Sequence, residues 1–210
     1  MDHTTNSTKE KLRKVSTATI ATCLFKKGLK NQFIQDIKPL KLGKPTMVGE
    51  AYTLRYIPAR EDLNTIEVFK DPKHLQRVAV EECPIGAILV IDSRRDSAEI
   101  AELHIPSYHH RPSAPTNLTL HQAIAINEPI GCGGVAVFPG DILVGDDDGV
   151  MVVPAGIADE VANECLQMTL FEEFVMENVQ NGRSIVGLYP LVDNNIAEEY
   201  GKWKVDKQGL

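Results

Sequence analysis

Six apolar residues, Val161, Cys165, Met168, Phe171, Val175 and Val179, recur at steps of three or four until Asn181-Gly182. That period predicts one long amphipathic helix, which must lay its apolar stripe against another layer of the fold. Asp159 and Glu160 stand in its first turn, where carboxylates complement the helix dipole. Just ahead of it, Ile142-Leu143-Val144 and Val150-Met151-Val152-Val153 flank Gly145-Asp146-Asp147-Asp148-Gly149, and Pro139-Gly140-Asp141 turns the chain before them. This pattern predicts a compact β-hairpin. Alternation from Met47 to Tyr56, with Val48, Tyr52, Leu54 and Tyr56 on one side, predicts another strand, and Pro58 with Arg60-Glu61-Asp62 opens a loop after it. Ser16 can cap a helix over 17–27 that carries Ile20, Cys23 and Leu24 on one face and stops at Gly28. The tail from Ile196 to Leu210, holding Trp203, reads as a short helix docked on the body or on a neighbour. No repeat, low-complexity stretch or linker divides the chain, so residues 1–210 are expected to form one α/β domain.

Bulk properties narrow the function. With 210 residues, 43% hydrophobic and 24% charged, the chain can bury a proper core. Its net charge of −7, with no stripe of Lys and Arg, argues against direct capture of nucleic acid. Small anionic substrates would then need local arginine or a metal. Cys23, Cys83, Cys132 and Cys165 are widely spaced with no C-x-x-C pair, and read as reduced, mostly buried thiols. No signal-peptide pattern and no apolar run near the roughly 20 residues of a membrane span is present, so a soluble cytoplasmic protein is expected.

Chemistry concentrates after Ala87-Ile88-Leu89-Val90-Ile91, an apolar run that stops at Asp92-Ser93-Arg94-Arg95-Asp96. Two readings stand. Ligands gather outside the carboxyl ends of strands in α/β folds, where an Arg fork can hold a carboxylate and an Asp oxygen a hard cation. A solvated turn would look the same, because charged turns are a common way for strands to end. His104, His109, His110 and His121 cluster in the middle of the chain but match no zinc spacing. Asp146-Asp147-Asp148 lacks the alternating ligands of a calcium loop, and reads as a hairpin turn. Gly131-Cys132-Gly133-Gly134 lacks the phosphate-cradle pattern and reads as backbone passing close to something. The nucleophile elbow G-x-S-x-G is absent.

A family resemblance rests on Arg95-Asp96-Ser97-Ala98-Glu99-Ile100, Pro106-Ser107-Tyr108-His109, the stretch Arg111-Pro112-Ser113-Ala114-Pro115-Thr116-Asn117, Pro129-Ile130-Gly131-Cys132-Gly133, Phe138-Pro139-Gly140-Asp141 and Gly145-Asp146-Asp147-Asp148-Gly149-Val150. These resemble the RraA-like family, the class II 4-hydroxy-4-methyl-2-oxoglutarate aldolases that are also known as regulators of ribonuclease activity. Ser16-Thr17-Ala18-Thr19, Gly49 to Tyr56 and Ile88-Leu89-Val90-Ile91-Asp92 resemble its amino-terminal part, so the likeness covers nearly the whole chain.

The resemblance implies a layered β/β/α fold of the swivelling-domain kind, a homotrimer or hexamer, and a small keto-acid substrate. It implies a lyase that cleaves 4-hydroxy-4-methyl-2-oxoglutarate-type substrates to pyruvate or decarboxylates oxaloacetate through an enolate. Arg95 would hold the substrate's carboxylate and keto oxygens, and Asp96 would support Mg²⁺ or Mn²⁺. Glu172 or Glu173 corresponds to a glutamate that reaches a neighbouring subunit's site. One departure stands out: family members carry a few dozen further residues, a glycine loop with an acid, a helix and a strand, before the Arg-Asp pair. Here that unit is missing near 94–95. A non-enzymatic regulator acting by protein contact, or an inactive shortened relative, are the alternatives.

Overall fold

The computed structural model describes residues 5–91, 106–110, 120–190 and 193–208. Its spine is one long strand, β2 (Met47–Pro58), preceded by α1 (Asn6–Leu12), α2 (Thr17–Lys26) and the two-residue β1 (Lys38–Pro39). After it come α3 (Ile66–Phe69), α4 (Leu75–Glu82), β3 (Ile88–Ile91), β4 (Tyr108–His109), β5 (His121–Ile126), β6 (Ile130–Cys132) and β7 (Val135–Val137). The hairpin β8 (Ile142–Gly145) and β9 (Val150–Val153) leads into α5 (Ala158–Gln180), and α6 (Asn194–Gln208) closes the order.

β2 is long enough to serve three neighbours in turn. Its first residues pair antiparallel with β8, from Met47 opposite Gly145 to Glu50 opposite Ile142, and β8 pairs with β9. Its middle pairs parallel with β3, Ala51 opposite Ile88 through Leu54 opposite Ile91. Its end pairs antiparallel with β5, with an irregularity between Arg55 and Tyr56. Among the described residues β3 pairs with β2 alone.

The β8–β9 hairpin is buried on both faces, and side-chain alternation divides it between two cores. Ile142, Val144, Met151 and Val153 pack with Leu12, Ile20, Leu24, Val161 and Cys165 of α1, α2 and α5. Leu143, Val150 and Val152 pack the other way, against Ile130, Val135 and Val137 of the β6–β7 ribbon and Ile34. Ribbon, sheet and helices are thus the expected β/β/α layers.

Local chemistry fixes the ends. The Ser16 hydroxyl accepts from the Thr19 amide at 3.1 Å, as its capping position predicts, and Gly28 leaves α2 with φ +85°. Lys27 spans to Glu160 and Glu164 of α5 at 2.6 and 2.8 Å. At the other end Asn181 caps α5, and α6 docks on it through Tyr200 and Trp203 against Phe171 and Phe174. The Trp203 indole N–H donates to Glu177 at 2.7 Å.

Three differences from the sequence reading have physical causes. β2 continues two residues past Tyr56 because Pro58 sits at its last position, opposite His121, where a missing donor is tolerated. α1 is amphipathic only through Thr8 and Leu12, too few positions to show a period. Of the four thiols, Cys23 and Cys165 are buried but Cys83 and Cys132 are only partly so.

Candidate functional site

β3 and β4 form two walls of a cavity of about 980 Å³, which Ile34, Met47, Cys132 and Val150 also line. Ile88 to Ile91 all contribute to its lining, as do Pro106 to His110, which follow the undescribed stretch in the sequence. Ile91 therefore brings the chain to the cavity immediately before Asp92. Arg95 and Asp96 lie outside the described residues, as do Arg94 and His104.

β4 is pinned hard. The Tyr108 hydroxyl donates to the Asp146 carbonyl at 2.9 Å, and a Cβ on Gly145 would lie 2.8 Å from the Tyr108 ring, so only glycine lets the ring seat there. Burial first, then the charges of Asp146 and Asp147, push the Tyr108 phenol up to about 12, so it stays a neutral donor. β1 adds a ladder, pairing Lys38 with His109 and Pro39 with Tyr108.

Three of the four central histidines, His109, His110 and His121, meet at this one cavity. Their sequence spacing gave no sign of it, because β4 pairs with β1 and β5 with β2 in separate sheets, which only the tertiary fold brings to one cavity. His121 sets its ring edge-on to Tyr56, centroids 5.9 Å apart. His109 differs: its Nδ1 is shut off from water with no hydrogen-bond partner. Such an atom costs on the order of 1–3 kcal/mol and usually marks a missing water, a ligand or a working group.

The described lining carries imidazoles, thiols and hydroxyls but no carboxylate, and among the described residues no three His, Cys, Asp or Glu side chains are grouped to hold a metal. A hard cation wants carboxylate oxygens, and no described residue of this cavity supplies one.

The other candidates resolve into structure. Asp146 accepts from the Thr17 amide and hydroxyl, both at 2.8 Å, and from the Asp148 amide at 3.0 Å, tying the hairpin turn to the start of α2. An anion at a helix start is favoured by the dipole and the free amides. Asp146→Ala should therefore lower unfolding free energy by about 2–4 kcal/mol, read as a urea midpoint shift at unchanged slope; a change under about 0.5 kcal/mol would deny the tie. Gly133 and Gly134 take φ of +52° and +77° in the β6–β7 turn, and a Cβ at Gly133 would lie 2.5 Å from Ile34, the close approach the sequence suggested. Glu172 accepts from the Thr19 hydroxyl of its own chain at 3.0 Å, and Glu173 lies 4.0 Å from Lys207.

Comparison with known proteins follows these lines. Residues 93–152 match the family model RraA-like, described as Aldolase/RraA. Protein DlpA of Legionella pneumophila is 26% identical over 200 residues, 84% of this chain and 32% of that one. The "Putative 4-hydroxy-4-methyl-2-oxoglutarate aldolase" of Halalkalibacterium halodurans is 58% identical over 36 residues, 17% of each chain. The alignments thus span only about a third, or less, of these relatives. Streptomyces coelicolor RraAS2, described as an unusual member of the RNase ES inhibitor RraA protein family, superposes with a TM-score of 0.67 at 24% identity, over 83% of this chain and 98% of its own.

The layered α/β architecture is the RraA type. Over residues 93–152 the chain resembles the RraA-like family, whose members include aldolase/decarboxylase enzymes and ribonuclease regulators. No helix among the described residues is long and apolar enough to cross a membrane.

Proposed function

We propose that this protein is a carbon–carbon lyase for small 2-keto acids, cleaving 4-hydroxy-4-methyl-2-oxoglutarate-type substrates to pyruvate or decarboxylating oxaloacetate. One observation carries the reading: β3 lines the cavity and ends at Ile91, four residues before Arg95-Asp96 in the sequence and two before the family match starts at residue 93. Arg95 holds the substrate carboxylate with its planar fork, and Asp96 is the carboxylate for Mg²⁺ or Mn²⁺. When bound, that cation would supply Lewis-acid stabilisation of developing enolate charge. The half-buried apolar side chains of β3 keep water from the reacting carbon. A ring-shaped homotrimer or hexamer and a cytoplasmic location belong to the same proposal.

The test is pyruvate release from oxaloacetate by the purified chain, above the rate without protein, with Mg²⁺ or Mn²⁺ and after chelation. Full release after chelation would remove the metal from the mechanism, and no release in either condition would favour a regulator acting by protein contact. Arg95→Lys should cost about tenfold or more in kcat/KM because lysine keeps the charge but loses the fork, while Arg94→Lys should cost less than twofold. Equal losses, or a loss at 94 alone, would shift the substrate contact to Arg94.

A further inference from the structure

We propose that His109 is the proton-transfer residue of this cavity, an inference that rests on the lyase reading above. The described lining offers few groups for that task. Tyr108 spends its hydroxyl on the Asp146 carbonyl and holds its proton up to about pH 12. Cys83 is pushed up by burial, away from an easy thiolate. His121 already contacts Tyr56, and no described lining residue is an acid. His109 lines the cavity half-buried, and its Nδ1 is enclosed with no partner, so no bond at that nitrogen assigns the ring a structural duty.

Its support is nevertheless rigid. The Tyr108 hydroxyl bond, the seat against Gly145 and the β1 ladder fix the backbone that carries the imidazole. An imidazole that lines a substrate-sized cavity on a fixed backbone is suited to general acid–base work. With Nδ1 shut off from water, Nε2 is the nitrogen left for the reacting group.

In the retro-aldol direction, neutral His109 accepts the proton of the C4 hydroxyl as the C3–C4 bond breaks. One pyruvate leaves with the new C4 keto group, and the bond's electron pair stays on C3 of the other as its enolate. The imidazolium returns the same proton to that carbon, giving the second pyruvate and neutral His109. In decarboxylation the C3–C4 bond of oxaloacetate breaks, carbon dioxide leaves and the electron pair again forms pyruvate enolate. Protonated His109 then supplies the proton and recovers one from water.

The experiment uses the full chain with Mg²⁺ or Mn²⁺ and two readouts: pyruvate release from oxaloacetate, and exchange of the pyruvate methyl protons in deuterium oxide, which reports proton transfer without bond cleavage. His109→Gln should lower both by about a hundredfold with KM changed less than about threefold. His74→Gln, at the head of α4 and outside the cavity lining, should leave both within twofold, and added imidazole should restore at least a tenth of the rate to His109→Ala. In the wild-type chain, diethyl pyrocarbonate should label His109, and oxalate, a planar mimic of the enolate, should slow that labelling about tenfold or more. Should His109→Gln not fold, the wild-type labelling decides alone, and His109 labelled at the same rate with and without oxalate overturns the role. An active wild type whose folded His109→Gln variant stays within twofold removes His109 and leaves the lyase standing. A wild type with neither release nor exchange removes the lyase reading and this one together.

Discussion

Asp96→Asn should reduce pyruvate release from oxaloacetate about a hundred- to a thousandfold, while melting by circular dichroism moves by less than about 3 °C. The amide keeps the shape of the side chain but loses the charge that holds a cation, and charge stabilisation by such an ion is worth several kcal/mol in the transition state. Raising Mn²⁺ concentration should not recover the wild-type rate. Retained turnover in this variant would move the metal-holding role elsewhere, with Glu99 and Asp92 the neighbouring carboxylates along the chain.

Inserting a relative's glycine-loop, helix and strand unit between Arg94 and Arg95 should raise both stability and turnover. β3 has a described partner on one side only, its Ile88, Leu89 and Ile91 are only partly buried, and the cavity of about 980 Å³ opens beside them. Covering three large apolar side chains is worth about 1 kcal/mol each, which for a chain of this length corresponds to a melting rise of roughly 6–12 °C. The loop would also bring donors to the developing oxyanion, one of which typically carries about a hundredfold in rate. Compare the two chains by circular dichroism and by pyruvate release. Equal melting and equal turnover would establish the short form as a complete enzyme.

The sequence made parts of this fold readable wherever one residue pattern had one physical cause. α2, the β8–β9 hairpin and α5 declare themselves because each buries one regular face or turns through glycine and aspartate. α3 and α4 do not, since between them they bury only Gln76 and Ala79. Arg95 and Asp96 were singled out through family likeness rather than spacing, and they lie outside the described residues. The special position of His109 was not legible at all: its unpartnered nitrogen depends on β1, β3 and β4 meeting in space. Asp146 likewise looked like a turn residue, and its bond to Thr17, 129 positions away, appears only once the helix layer is folded onto the hairpin.

The chain has a single tryptophan, and Trp203 sits on α6, stacked with Tyr200 and bonded to Glu177 of α5. Intrinsic fluorescence is therefore a local instrument in this molecule. Its emission responds to the peeling of α6 from α5, and a denaturation curve followed at that wavelength describes the seam between two helices while the buried hairpin remains silent. The same property makes the indole a ready-made probe for anything that binds along α6, without a label.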